Sequence, residues 1–206
     1  MKSHIALIDH GVGNLRSVEK ALAAVGANVS LTRDPDVIVS ADKLVLPGVG
    51  AFGDCMNGLR ESGTLEIVRS LAVERPFLGI CVGMQLFAKT GYESQETKGF
   101  GWIDAEVRKI NNINKKLKLP HMGWNEIELK KDSFLFSNIK NKSHVYFIHS
   151  YEFMTKQKDY VIATTNYGNS IIVSVAKENI VGTQFHPEKS QKNGLIILEN
   201  FLKWKL

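Results

Sequence analysis

The 206 residues are 44% hydrophobic, enough to fill a sizeable core, and the length suits one domain, 1–206, better than two. Two cysteines, Cys55 and Cys81, form no CxxC pair and cannot make a disulfide scaffold, so a reduced, cytoplasmic setting is expected. The net charge of +5 is concentrated between Arg108 and Lys158, where eleven Lys or Arg face four Asp or Glu. These are scattered and carry no nucleic-acid motif, so they read first as a solvated surface and second as a face for an acidic partner.

In chain order, MKSHIALID opens with an apolar run too short for a secretion signal or a membrane span, and no later stretch approaches one. HIALID (4–9) is a strand. In NLRSVEKALAAVG, Leu15, Val18, Leu22 and Val25 form one helical stripe, and Gly26 ends it. NVSLT, a turn at Asp34-Pro35 and the strand KLVLP (43–47) follow. A helical stretch including TLEIVRSLAVE then leads to the strand PFLGI (76–80), and VGMQLFAKTG reads as the next helix. This alternation predicts a doubly wound parallel sheet with helices on both faces. After about residue 100 the pattern turns β-rich: AEVRKI, NEIELK, HVYFIHSYEF, YVIATTN, SIIVSVAKE and IVGTQF read as strands, and a helix closes the chain.

Gly79-Ile80-Cys81-Val82-Gly83 has the glycine-flanked form of a nucleophile elbow, which lifts the central side chain above the sheet. The corner also predicts a sulfur near a helix N-terminus, which favours thiolate. Cys55 reads as an inert buried thiol. Among six histidines none has metal-ligand spacing, so no metal is expected. His186, in TQFHPEKS, stands two residues before Glu188. In extended backbone the two side chains project together, and Pro187 biases His186 toward that conformation. Cys81, His186 and Glu188 thus form a candidate nucleophile, base and orienting acid. LVLPGVGAFGD contains Gly48, Gly50 and Gly53 after a strand. No acid ends the next strand, so the dinucleotide fingerprint is rejected and no cofactor is expected. The glycine turn reads instead as a source of oxyanion donors, with the amide of Val82 as one and that of Val49 or Gly50 as the other.

IDHGVGNLRSV, LPGVGAFGD, GICVGMQLF, HMGWN, YFIHSYEF and GTQFHPEKS together resemble the class I glutamine amidotransferases, from Ile8 to Ser190. GNLRSV, PGVGAF, HMGWN and HSY narrow the likeness to the branch serving histidine biosynthesis. The resemblance implies a flavodoxin-like, mixed but mainly parallel sheet, and hydrolysis of L-glutamine to glutamate and ammonia through a cysteine thioester. It assigns Cys81, His186 and Glu188 to the triad, and Gly50, Gln85, His149, Ser150 and Tyr151 to glutamine binding. It implies a (β/α)8-barrel cyclase as heterodimer partner, receiving the ammonia, with Trp124 and Asn125 at the contact. His10 stands where this family usually has tyrosine, and Val82 where leucine is commonest. The other readings are a related glutaminase feeding an enzyme that amidates surface sugars, a different cysteine hydrolase, and a non-catalytic docking module.

Overall fold

A computed structural model describes residues 3–11, 15–111 and 117–205, and its first half alternates strand and helix. β1 (His4–Ile8), α1 (Leu15–Ala24), β2 (Asn28–Thr32), α2 (Pro35–Ser40), β3 (Lys43–Gly48), α3 (Phe52–Glu61), α4 (Leu65–Leu71) and β4 (Phe77–Cys81) follow in turn. Met1, Lys2 and residues 12–14 of the GVGNLR segment lie outside the described residues. α1 buries Leu15, Val18 and Leu22 on one face. α2 appears where only a turn was expected. Asp34 caps it by accepting from the Asp36 amide at 2.9 Å, and Pro35 supplies a preset φ at its first position. Six residues are too few to show a helical period.

The second half adds α5 (Val82–Gln85), β5 (Ala88–Glu93), β6 (Gln95–Lys98), β7 (Ile103–Lys109), β8 (His121–Glu126), β9 (Glu128–Leu129), β10 (His144–His149), β11 (Tyr151–Thr155), β12 (Val161–Tyr167), β13 (Asn169–Lys177), β14 (Ile180–Thr183) and α6 (Gln191–Lys203). β14 returns to lie parallel beside β4, giving the parallel order β2-β1-β3-β4-β14 of a flavodoxin-like sheet. β13, β11, β7, β5 and β6 extend the same sheet, mostly by antiparallel pairing, and β12 and β9 branch from β13. α1 packs beside α6, while α4 packs against both α2 and α3. Phe52, Phe77, Phe87, Phe153, Phe185 and Phe201 are buried completely in the core between these layers. The described Lys and Arg between 108 and 158 are all exposed, as a solvated face requires, while Lys115 and Lys116 lie outside the described residues.

Two expected elements are corrected. VGMQLFAKTG is not a helix throughout. α5 is a single turn, after which the carbonyls of Leu86 and Phe87 accept from the amides of Phe100 and Ile103, and the chain becomes β5. HVYFIHSYEF is not one strand: it breaks at Ser150, with β10 pairing β8 in a separate ribbon and β11 joining the main sheet. Period-two alternation runs through both halves and cannot register the change of partner.

The turn after β4 packs hard against β3. A Cβ at Gly83 would lie 1.9 Å from the Leu46 carbonyl oxygen, so backbone would have to move to admit it. Gly83→Ala should therefore lose about 3 kcal/mol or more of unfolding free energy in urea. An unchanged midpoint would show that β3 and β4 separate freely.

Candidate active site

Cys81 ends β4 at φ 54°, ψ −111°, a region that costs a non-glycine residue strain and persists only where the surroundings enforce it. Here they do: a Cβ on Gly79 would meet the Gly83 carbonyl oxygen at 2.6 Å, so the corner closes only with glycine on both sides. The sulfur reaches a cavity of about 300 Å³ lined by Val49, Gly50, Cys81, Val82, Gln85, Glu93, Pro120, Ile148, His149, Ser150, Tyr151 and His186. It opens at the C-terminal ends of the parallel strands, where ligand sites of such sheets lie. The geometry thus gathers Cys81, the glycine turn, Gln85 and the HSY segment at one place.

His186 and Glu188 meet there by a route different from the one expected. β14 stops at Thr183, His186 remains extended, and Pro187–Lys189 form a single 3-10 turn. Glu188 is therefore delivered by a helical turn rather than by strand alternation. Its Oε1 lies 2.7 Å from His186 Nδ1, with both side chains about 96–97% buried. The backbone of this turn is pinned to β10, the His186 amide donating to the Tyr146 carbonyl and Ser190 Oγ accepting from the Tyr146 amide. Burial alone would lower the His186 pKa. The neighbouring Cys81 sulfur and the Glu188 carboxylate overcome that and raise it well above the ordinary imidazole range. Nε2 has no partner of good hydrogen-bond geometry among the described residues, so its coupling to the sulfur is chiefly electrostatic.

The other thiol is a control within the same chain. Cys55 is fully buried in α3, and burial pushes it up to about 12, which keeps it protonated and inert. The expected help of a helix dipole at Cys81 is small, because α5 is one turn long.

Two residues of the site escaped the sequence reading. Glu93, at the end of β5, lines the cavity and accepts from the Phe52 amide at 2.9 Å, capping α3. Gln184, fully buried just past β14, donates from Nε2 to Cys81 Sγ at 3.6 Å and accepts from Gln85 Nε2 at 2.9 Å. The available signal for Gln184 was a polar residue inside the apolar run IVGTQF, two positions before His186. Glu93 offered none.

His149 lines the cavity, but its ring is committed elsewhere. Nδ1 donates to the Tyr151 carbonyl at 2.8 Å, so Nε2 must accept, and it does so from His121 Nδ1 at 3.0 Å. His121 Nε2 in turn accepts from Asn125 Nδ2 at 3.2 Å. Only the backbone of His149 is left to hold a ligand. Asn125 also donates to the Asn166 carbonyl and faces inward, whereas Trp124 and Met122 project from the opposite face of β8, 47% and 58% exposed. The expected contact pair is therefore split between the two faces of the ribbon.

The glutamine amidotransferase class-I family matches residues 6–204. The chain belongs to the class-I glutamine amidotransferases. Among curated relatives, the imidazole glycerol phosphate synthase subunit HisH of Pelagibacter ubique is 51% identical over 97% of this chain and 99% of its own. That of Mesorhizobium japonicum is 46% identical over 98% of this chain and 99% of its own. Solved structures agree on the fold alone: a putative GMP synthase component from Thermoplasma acidophilum superposes with a TM-score of 0.72 at 22% identity, covering 98% of this chain and 93% of that one.

The two coupled histidines carry a pH signature. Desolvation lowers both from 6.5 to about 4, and each ring has a single proton placed by the network, so a second proton would set donor against donor. A folded-state value below the unfolded one means stability is complete above pH 6.5 and is lost as pH falls toward 4. His186, shifted the other way, adds stability that is whole below pH 6.5 and lost only above it, so it leaves this window flat. Urea midpoints should therefore fall between pH 6.5 and 4, and His121→Phe should flatten the decline; equal midpoints at pH 7 and 4.5 would refute the neutral pair.

Proposed function

We propose that the chain, working as one glutamine amidotransferase domain over residues 1–206, is the glutaminase subunit of an imidazole glycerol phosphate synthase. It hydrolyses L-glutamine to L-glutamate and supplies the ammonia to a synthase partner in histidine biosynthesis. The observation that carries this is the convergence of Cys81 with the buried His186–Glu188 pair on one cavity, in a chain 51% identical to a HisH subunit over nearly its whole length.

In this reading the Cys81 thiolate attacks the side-chain amide carbon of glutamine. The carbonyl electrons move onto oxygen, which the amides of Val82 and of Val49 or Gly50 receive. His186, protonated beside Glu188, gives its proton to the leaving nitrogen as the C–N bond breaks, and a thioester remains. Water, deprotonated by His186, then attacks the thioester. Sulfur leaves, and glutamate is released. The Glu93 carboxylate offers a counter-charge for the substrate ammonium, and Gln85, Ser150 and Tyr151 complete the lining. Two free thiols suit a reducing, cytoplasmic setting. We assign the partner as a (β/α)8-barrel cyclase docked over the mouth of the cavity. The exposed Met122 and Trp124 support that placement, since β8 pairs with β10 and the cavity-lining Ile148 and His149 lie opposite Met122 and His121.

One oxyanion donor is worth about 3 kcal/mol of barrier, so the conformation of the turn at Val49 and Gly50 can switch turnover by about a hundredfold. Glutamate production should be low for the free chain and rise by about that factor with the liganded partner, and equal rates would refute the coupling. Cys81→Ala should abolish glutamate production while Cys55→Ala leaves it intact. Sensitivity at Cys55 instead would move the nucleophile.

A further inference from the structure

The sulfur of Cys81 has a second polar neighbour besides His186, and the fold dictates where it sits. β14 pairs parallel with β4, Thr183 opposite Ile80, so the next residue on each chain brings Gln184 beside Cys81. Gln85 lies four residues beyond Cys81, one helical turn along α5. The two amides touch behind the sulfur and are 98% to fully buried.

Their orientation is fixed by a group that cannot turn over. The Tyr151 carbonyl only accepts, and Gln85 Nε2 donates to it at 3.3 Å. The same Nε2 donates to Gln184 Oε1 at 2.9 Å, so Gln184 must present its own Nε2 toward the sulfur, at 3.6 Å. Reversing either amide would set acceptor against acceptor or donor against donor. A thiol needs no such donor, since its own S–H has the Ile148 carbonyl as acceptor at 3.9 Å. A thiolate does need one, because it can only accept.

We propose that Gln184 is a further catalytic residue of the amidotransferase reaction, donating to the Cys81 thiolate as a partner additional to His186, and that Gln85 is the positioning residue that keeps this donor aimed. The proposal rests on the reading of Cys81 as nucleophile. It gives Gln85 a task beyond contact with glutamine: its Nε2 is spent on the relay, and only its Oε1 remains for the cavity. With both amides shielded from water, a fixed donor supplies what a one-turn helix cannot.

The test uses the chain bound to its synthase partner, with iodoacetamide as the probe of thiolate. Gln184→Met keeps the chain length and removes the donor. It should move the midpoint of the pH–alkylation curve of Cys81 upward by about one unit, since hydrogen bonds to charged groups carry that weight. It should lower kcat about tenfold and leave KM for glutamine within about twofold. Gln184→Glu keeps the contact with Gln85 but faces the thiolate with a carboxylate, and should move the curve further. Gln85→Leu should move it in the same direction as Gln184→Met. Unmoved alkylation curves in the folded Gln184 variants, or a loss of kcat that only follows a fall in Tm, would overturn the proposal. Cys81→Ala separates the two claims: glutamate production that survives it defeats the nucleophile reading, whereas the alkylation curves judge the hydrogen bond.

Discussion

The closeness of β3, β4 and the turn after Cys81 is the constraint on which the site depends. Glycines at 79 and 83 let backbone touch backbone where a methyl group would overlap a carbonyl oxygen. That contact forces Cys81 into a conformation it would not choose and holds it in the lining of a cavity. Because β14 packs parallel against the other side of β4, its end delivers His186 to the same rim. Parallel strands align their carboxyl ends, so three chain segments far apart in sequence converge without any loop having to search for the others.

Burial gives this convergence its chemical meaning. Desolvation makes Cys55 an inert thiol pushed up to about 12. Nearly as deep, the sulfur of Cys81 has an imidazole held up by a carboxylate as one neighbour and the amide of Gln184 as another. The two sulfurs therefore differ in what surrounds them, not in how deeply they are buried. His186 and Glu188 are themselves shielded from water, which strengthens the attraction between them.

The β8–β10 ribbon joins two surfaces with different tasks. Its outward side chains, Met122 and Trp124, are exposed and apolar. Its inward side carries the directed chain from Asn125 through His121 and His149 to the Tyr151 carbonyl. That same carbonyl accepts from Gln85, whose other contact orients Gln184. A continuous run of hydrogen bonds therefore connects the underside of the exposed face to the sulfur of Cys81. Every donor and acceptor in it has an assigned direction.

Local pattern alone determined the strand–helix alternation of the first half, the elbow at Cys81, the glycine turn after β3 and the pairing of His186 with Glu188, because each depends on residues within a few positions of one another. It also marked Cys55 as inert. Period and spacing say which face a side chain takes, but not which strand will lie beside it. Only the tertiary structure decided that residues 144–155 serve two sheets, that α5 ends after one turn, that both ring nitrogens of His149 are taken up by hydrogen bonds, and that Glu93 and Gln184 lie at the candidate site. Gln184 reaches Cys81 because β14 pairs with β4, two strands about a hundred residues apart whose pairing no local period records.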